Sequence, residues 1–421
     1  MKILHTSDWH LGKRLDAFSR IDEQRAVMDE ICALADAYAV DAVLVAGDLF
    51  DTINPPIEAT ELLYKTLKRL ACNGQRAVIA IAGNHDSPDR IEAPDPLARE
   101  CGIFFTGYPH SQTHPVKTDG GVQTLRTDHG FAEIKLPHCK APLRIIATPY
   151  ANEIRLRTYL GVENSDEALR NVLRLHWQVL ADKYCDTQGV NILTTHLFMV
   201  KEGAERPEEP DDEKPILYVG GASPVFSSDV PVAMQYAALG HLHRLQTVDG
   251  QPCPLVYAGS PLAYSFSEAD QEKFVVLVDA EPNRQATVTP IPLRQGMKLV
   301  RKRFTDVDDA TAWLSANPDL YVELTMATDG YLTAEERQRL FGAHQHIVTL
   351  IPEVINAHAS GPAHNPIDLS QSMEALFTDY FRHKHQGQEP GVELLNLFRE
   401  VLGESGEDKE NKKMIRHETD R

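Results

Sequence analysis

Short apolar runs alternate with helix-period segments through the first ninety residues. The opening Met1–Thr6 carries Ile3-Leu4 and reads as a strand. Across 20–38 the apolar positions Ile21, Val27, Met28, Ile31, Leu34 and Ala35 recur close to helical period. Asp-Ala-Val-Leu-Val-Ala at 41–46 is a second strand-like run, closed by Gly47-Asp48. Residues 57–72 are helical by pattern and end at Asn73-Gly74. Ala-Val-Ile-Ala-Ile-Ala at 77–82 is a third strand-like run, stopped by Gly83-Asn84-His85-Asp86. This β-α-β-α-β order implies parallel strands buried on both faces.

Residues 108–142 are rich in Pro, Gly, Thr and His and read as loops and short strands. A strand resumes at 144–148, a helix spans 165–184, and a strand at 191–195 ends at His196. The charged, Pro-broken run 201–215 reads as a solvated loop. Residues 236–240 lead into Gly240-His241-Leu242-His243, and strands are expected at 254–258 and 273–279. Composition breaks near 280–284. Beyond it the order is strand (298–304), helix (307–316), strand (320–326), helix (333–341) and strand (346–351). Residues 370–402 read as two amphipathic helices joined by a turn at 385–391, and 404–421 as a polar, frayed tail. The expected divisions are 1–280, 285–360, 370–403 and 404–421.

The remaining composition narrows the class. Of 421 residues 42% are hydrophobic, enough for a large core and too many for a disordered chain. No stretch approaches the ~20 consecutive apolar residues of a membrane span, and the opening residues contain no apolar leader segment. Six scattered cysteines without a Cys-x-x-Cys pair suit reduced thiols in a cytoplasm and argue against a thiolate zinc site. A net charge of −19 counts against a general nucleic-acid binder, though not against a locally positive site.

The chemistry lies where polar residues interrupt the apolar runs. Asp8 and His10 follow the first strand, Asp48 the second, Asn84 the third, His196 a later one, and His241 and His243 another. Ligands in open α/β sheets collect beyond the carboxyl ends of strands, so five strand ends can deliver these seven side chains to one place. Two carboxylates, an amide oxygen and four imidazoles suit two divalent ions, and the mixed set favours Mn, Fe or Zn over Mg. The Asp48 carboxylate is placed to bridge them, and a pair of ions about 4 Å apart clamps a phosphate ester for in-line displacement. Two ions outweigh two carboxylates in formal charge, which explains how an acidic protein can attract phosphate. His85, directly after Asn84, is the candidate catalytic imidazole, as a proton donor or a stabiliser of the phosphorane. Asp86 is a candidate to orient it or to cap the turn. Arg155, Arg157, Arg170 and Arg174 are candidate phosphate contacts or plain surface charges.

The motifs Asp8-x-His10, Gly47-Asp48, Gly83-Asn84-His85-Asp86, Thr195-His196 and Gly240-His241-x-His243 resemble, in order, those of the calcineurin-like metallophosphoesterase family. The opening Lys2–Lys13, Ala46–Asp51 and Tyr257–Pro261 look like the bacterial SbcD-type exonuclease subunits over nearly the whole chain. The resemblance implies an α/β sandwich of two mixed sheets flanked by helices, with a small α/β capping domain and C-terminal helices. It implies one metal on Asp8, His10, Asp48 and His243, a second on Asp48, Asn84, His196 and His241, and His85 on the scissile phosphate. It further implies manganese, DNA ends and hairpins as substrates, and a homodimer whose C-terminal helices dock on an ABC-type coiled-coil ATPase, SbcC. Where archaeal and eukaryotic relatives often carry histidine this chain has Asp51, to which no catalytic role is assigned. A stand-alone phosphodiesterase or phosphatase is the alternative enzyme, and a non-catalytic scaffold the alternative class. The chain beyond residue 284 favours the nuclease reading, because a minimal phosphatase needs neither cap nor helices.

Overall fold

The computed structural model describes residues 1–157, 165–204, 224–355 and 373–384, with 390–391, 394–395 and 397–398. In the unit Met1–Ile355 the main elements run β1 (Lys2–Thr6), α1 (Ile21–Ala37), β2 (Ala42–Val45), α2 (Ile57–Leu70), β3 (Ala77–Ile81) and β4 (Ile103–Thr106). Next come β5 (Gln123–Asp128), β6 (Phe131–Lys135), β7 (Leu143–Thr148), α3 (Ser165–Tyr184), β8 (Val190–His196) and β9 (Tyr236–Gly240). After these come β10 (Gln246–Asp249), β11 (Leu255–Tyr257), β12 (Phe274–Asp279) and β13 (Thr287–Pro292). The last part holds β14 (Lys298–Phe304), α4 (Val307–Ala316), β15 (Leu320–Thr328), α5 (Ala334–Ala343) and β16 (Ile347–Val354).

Two sheets dominate. One has the order β13-β12-β1-β2-β3-β4, the other β10-β11-β9-β8-β7-β6-β5. Strands β1 to β4 pair in parallel, as the β-α-β order requires, and β12 and β13 close that sheet antiparallel. Alternation along each strand builds the layers. Leu4, Val43, Val45, Val78 and Ala80 face Val27, Met28 and Ile31 of α1 and Leu63 and Leu67 of α2. Ile3, Ala42, Leu44, Ile79 and Ile81 face the other way, onto Ile134, Ile145, Ile192 and Ala238 of the second sheet. That sheet's outer residues Ile146, Leu193 and Leu239 pack on Leu173, Trp177 and Leu180 of α3. The result is the expected sandwich of two mixed sheets with helices outside.

Strands also form at positions the sequence reading leaves unassigned. The short run Ile103–Thr106 is a parallel edge strand beside β3. Thr287–Pro292, beyond the composition break, pairs along its whole length with β12. Its four exposed positions, two of them prolines, are tolerated because it is an edge.

A smaller parallel sheet, β14-β15-β16, carries α4 and α5. Asp306 starts α4 by accepting from the Asp308 and Asp309 N–H groups at 2.8 and 3.0 Å, and Thr333 with Glu336 forms a capping box on α5. Leu314, Val322, Leu324, Met326 and Leu340 fill its core. The sheet meets the larger part where Leu299 and Tyr321 pack on Leu15 and Phe266. There the Tyr321 hydroxyl donates to Glu23 at 3.0 Å, and its ring lies 4.8 Å from the buried Arg20 guanidinium.

The unit Asn356–Arg421 contains α6 (Met373–Lys384), which carries the apolar positions Met373, Leu376, Phe377, Tyr380 and Phe381. Phe377 stacks on Phe398 at 4.1 Å, so the stripe is partly spent on the following segment. The acidic stretch 205–213, the turn 385–389 and the tail 404–421 lie outside the described residues. Among the described residues no helix is long and apolar enough to cross a membrane.

Candidate metal centre

The motif loops at the strand ends press against one another. Asp8, His10 and Asp48 have φ of 53°, 43° and 48°, and His241 has φ 113°. Positive φ costs a non-glycine residue of order 1–3 kcal/mol, and such strain clusters at functional sites. The loops hold one another by backbone bonds, Asp8 N–H to Gly47 O and His10 N–H to Asp48 O, both at 3.0 Å. The contact leaves no room for side chains at two glycines. A Cβ on Gly83 would lie 2.0 Å from Asp48 Oδ1, and one on Gly240 would lie 1.8 Å from Ala46 O.

All seven candidate side chains meet there. Donor atoms of Asp8, His10 and His243 lie within 4.8 Å of one another, as do those of Asp8, Asp48 and His196. His196 Nε2 is 2.9 Å from Asn84 Oδ1 and 3.3 Å from Asp48 Oδ2. His241 Nδ1 is 3.2 Å from the same amide oxygen. His10 Nε2 faces His243 Nε2 at 3.0 Å and Asp48 Oδ2 at 3.5 Å. A single oxygen of Asp48, Oδ2, thus faces both halves of the cluster, while Oδ1 accepts from the His85 N–H at 2.9 Å.

Hydrogen bonds on the outer ring nitrogens fix where the inner lone pairs point. His196 Nδ1 donates to Ala46 O at 2.8 Å, so in the neutral ring the lone pair on Nε2 points at two oxygens. His243 Nδ1 faces the Glu268 carboxylate at 3.3 Å, which turns the other nitrogen's lone pair toward His10. Lone pairs aimed at carboxylate, amide and imidazole acceptors call for positive charge between them. Burial favours neutral His196, yet Asp48 and Asp8 overcome it and raise the pKa to about 9, so a proton is drawn to the place a cation would take. At His10 burial wins and holds the ring near 3 despite Asp51 and Asp48. Burial opposes charge on Asp48, but His196 and His85 pull its carboxyl well below the usual range. Asp8 is pushed up by burial against the pull of His196 and His243. Buried carboxylates and imidazoles with unmatched lone pairs fit divalent cations.

His85 sits beside this cluster. Its Nδ1 donates to the Asp51 carbonyl at 2.8 Å, its ring meets His10 edge-on at 4.8 Å, and its buried Nε2 has no hydrogen-bond partner among the described residues. The group that orients His85 is therefore the Asp51 carbonyl. Asp86 does a different job: its carboxylate accepts from the N–H groups of Gly83 (2.8 Å), Leu49 (3.0 Å) and Phe50 (2.9 Å), tying two motif loops together. Burial and the nearby Asp48 push it up to about 6 against those three bonds.

The arginines are committed too. Arg155 donates to the carbonyls of Gly83 (2.7 Å), Asn84 (3.4 Å) and Asp86 (2.8 Å), so it clamps the loop bearing Asn84 and His85. Arg170 pairs with the buried Asp229 at 2.8 Å, with Arg174 at 4.0 Å, and Arg157 lies over the Tyr108 ring. Sequence reasoning missed Glu268 and the clamping role of Arg155. Neither interrupts an apolar run ahead of the site, so nothing in the pattern marks them.

Residues 1–232 match the calcineurin-like phosphoesterase family. The D component of the SbcCD nuclease of Bacillus subtilis (strain 168) is 35% identical over 421 residues, covering 98% of this chain and 100% of that protein. Its counterpart in Rhodobacter capsulatus is 31% identical, covering 70% and 71% of the two chains, and that of Escherichia coli (strain K12) is 30% identical, covering 80% and 81%. With this fold and this cluster, the chain belongs to the SbcD family of calcineurin-like phosphoesterases and is a metal-dependent nuclease.

Proposed function

We propose that Asp8, His10, Asp48 and His243 hold one divalent cation and Asp48, Asn84, His196 and His241 a second; the mixed N/O set suits Mn, Fe or Zn over Mg, and the family resemblance selects manganese among them. The observation that carries this is the set of imidazole lone pairs facing Asp48, Asn84 and one another across 2.9–3.5 Å. Bound cations supply Lewis acidity to a phosphoryl oxygen and make water a competent nucleophile at neutral pH. The protein's share is positioning. Asp48 Oδ2 sets the separation of the two halves, and its Oδ1 fixes the His85 backbone. Arg155 and Asp86 hold the Asn84-His85 turn from opposite sides. His85, with Nδ1 committed to Asp51 O, offers Nε2 to the phosphate or to the departing oxygen. Water attacks phosphorus in line and loses one proton to solvent, the P–O3′ bond breaks, and the 3′ oxygen leaves with a proton handed over by an Nε2–H of His85, which solvent then replaces.

The substrate in this reading is DNA, cut as an exonuclease at double-stranded ends and as an endonuclease at hairpins, in recombination, repair and replication in the cytoplasm. The relatives' names make each one part of an SbcCD complex. The corresponding partner here is a coiled-coil ABC-type ATPase, SbcC, engaged through 370–403. It would control DNA access to a homodimer of this chain whose nuclease part (1–280) is covered by the 285–360 unit. His85→Gln should keep two bound Mn²⁺ ions while losing about 10²–10⁴-fold in cleavage of a hairpin DNA, the usual contribution of a positioned acid or base. Undiminished cleavage would remove His85 from the mechanism.

A further inference from the structure

The two halves of the cluster are backed by different groups. Behind His196 stands a neutral acceptor, the Ala46 carbonyl. Behind His243 stands a carboxylate. Glu268, buried on the turn after Tyr264, turns Oε1 toward His243 Nδ1 at 3.3 Å while the same oxygen accepts from the Tyr264 N–H at 2.9 Å. Its Oε2 takes the Ser260 hydroxyl at 3.2 Å and the Lys273 ammonium. Lys273 in turn donates to the His243 carbonyl at 3.0 Å. One buried ion pair therefore grips His243 twice, the ring through Glu268 and the backbone through Lys273. The ammonium lies on the far oxygen, so the negative end of the pair faces the imidazole.

A carboxylate behind a ligating imidazole fixes its tautomer and raises its basicity, and losing such a partner typically costs about 10–100-fold in metal affinity. Asp8 lies near donors of both halves, but in the two-cation reading it ligates in the His10–His243 half, where the other half takes the neutral Asn84 amide. We infer that Glu268 is the positioning residue of His243 and that it makes the His10–His243 half the tighter cation site and the first to fill. This rests on the two-cation reading above.

The test is calorimetric titration of the metal-free full-length chain with Mn²⁺ alone. The unsubstituted protein should take up two equivalents in two resolved steps. Glu268→Gln keeps the side-chain volume and removes the charge. It should weaken the tighter step about 10–100-fold and leave the weaker one in place. An equal loss in both steps, or none, overturns the inference, since a merely structural role would not select one step. Crystals of the unsubstituted chain grown with one equivalent of Mn²⁺ give an independent answer should the variant fail to fold. Anomalous scattering should peak between His10 and His243, and a peak beside His196 and His241 overturns the assignment. Uptake of fewer than two equivalents would instead reject the dinuclear reading itself, so the two failures are distinguishable.

Discussion

The strands of the large sandwich and those of the small β14-β15-β16 sheet end in different ways. In the sandwich, β1, β2, β3, β8 and β9 run into Asp8, Asp48, Asn84, His196 and His241, four of which are buried ionisable groups. In the small sheet the charged residues stay at the surface: Arg303 pairs with Glu353 and Arg301 with Glu323, and the turns into its helices are spent on capping. Both parts obey the same rules of periodicity and burial. The difference is where each tolerates strain and desolvated charge. The sandwich gathers unmatched lone pairs, and the positive φ of Asp8, His10, Asp48 and His241, at one end, stabilised by large cores on either side, while the small sheet contains no comparable polar cluster among its described residues.

Three substitutions bear on that contrast, in descending order of effect. Gly83→Ala should be the most damaging, because its Cβ would meet Asp48 Oδ1 at 2.0 Å and displace the carboxylate whose other oxygen, Oδ2, faces both halves of the cluster. Misplacement of that size should cut hydrolysis of bis-p-nitrophenyl phosphate by about 10²-fold or more in the folded fraction. Retained activity would mean the loops are looser than their contacts suggest. Leu324→Ala empties part of the small sheet's core and should lower unfolding free energy by about 2–5 kcal/mol, measured in denaturant. Bound Mn²⁺ should remain at two equivalents, and loss of metal would show that the small sheet supports the site. Arg303→Ala breaks an exposed ion pair and should leave the unfolding midpoint and hydrolysis unchanged.

Much of this molecule is readable along the chain. Short apolar runs place β1, β2 and β3 because strands buried on both faces have no polar side to alternate with. The same logic makes Asp8, Asp48, Asn84 and His196 visible, since a polar group directly after such a run needs a reason to be there. The misses have physical causes. The edge strand Thr287–Pro292 buries little and contains two prolines, so it has no apolar signature. Asp86 stands beside His85 in sequence, yet its carboxylate satisfies three backbone N–H groups from two loops, a geometry that exists only once β2 and β3 are adjacent. Arg155 resembles a surface cation until the carbonyls it clamps are in view.

The amino-acid order by itself determined the parallel β-α-β core and the kinds of donor available: two carboxylates, an amide and four imidazoles at the ends of five strands. Tertiary structure alone decided which nitrogen of His196 and of His243 faces inward, which oxygen of Asp48 is shared, and that a carboxylate stands behind His243. A side chain's chemistry is inherited from its residue type, but its protonation and aim depend on the atoms opposite it, and those come from distant parts of the chain.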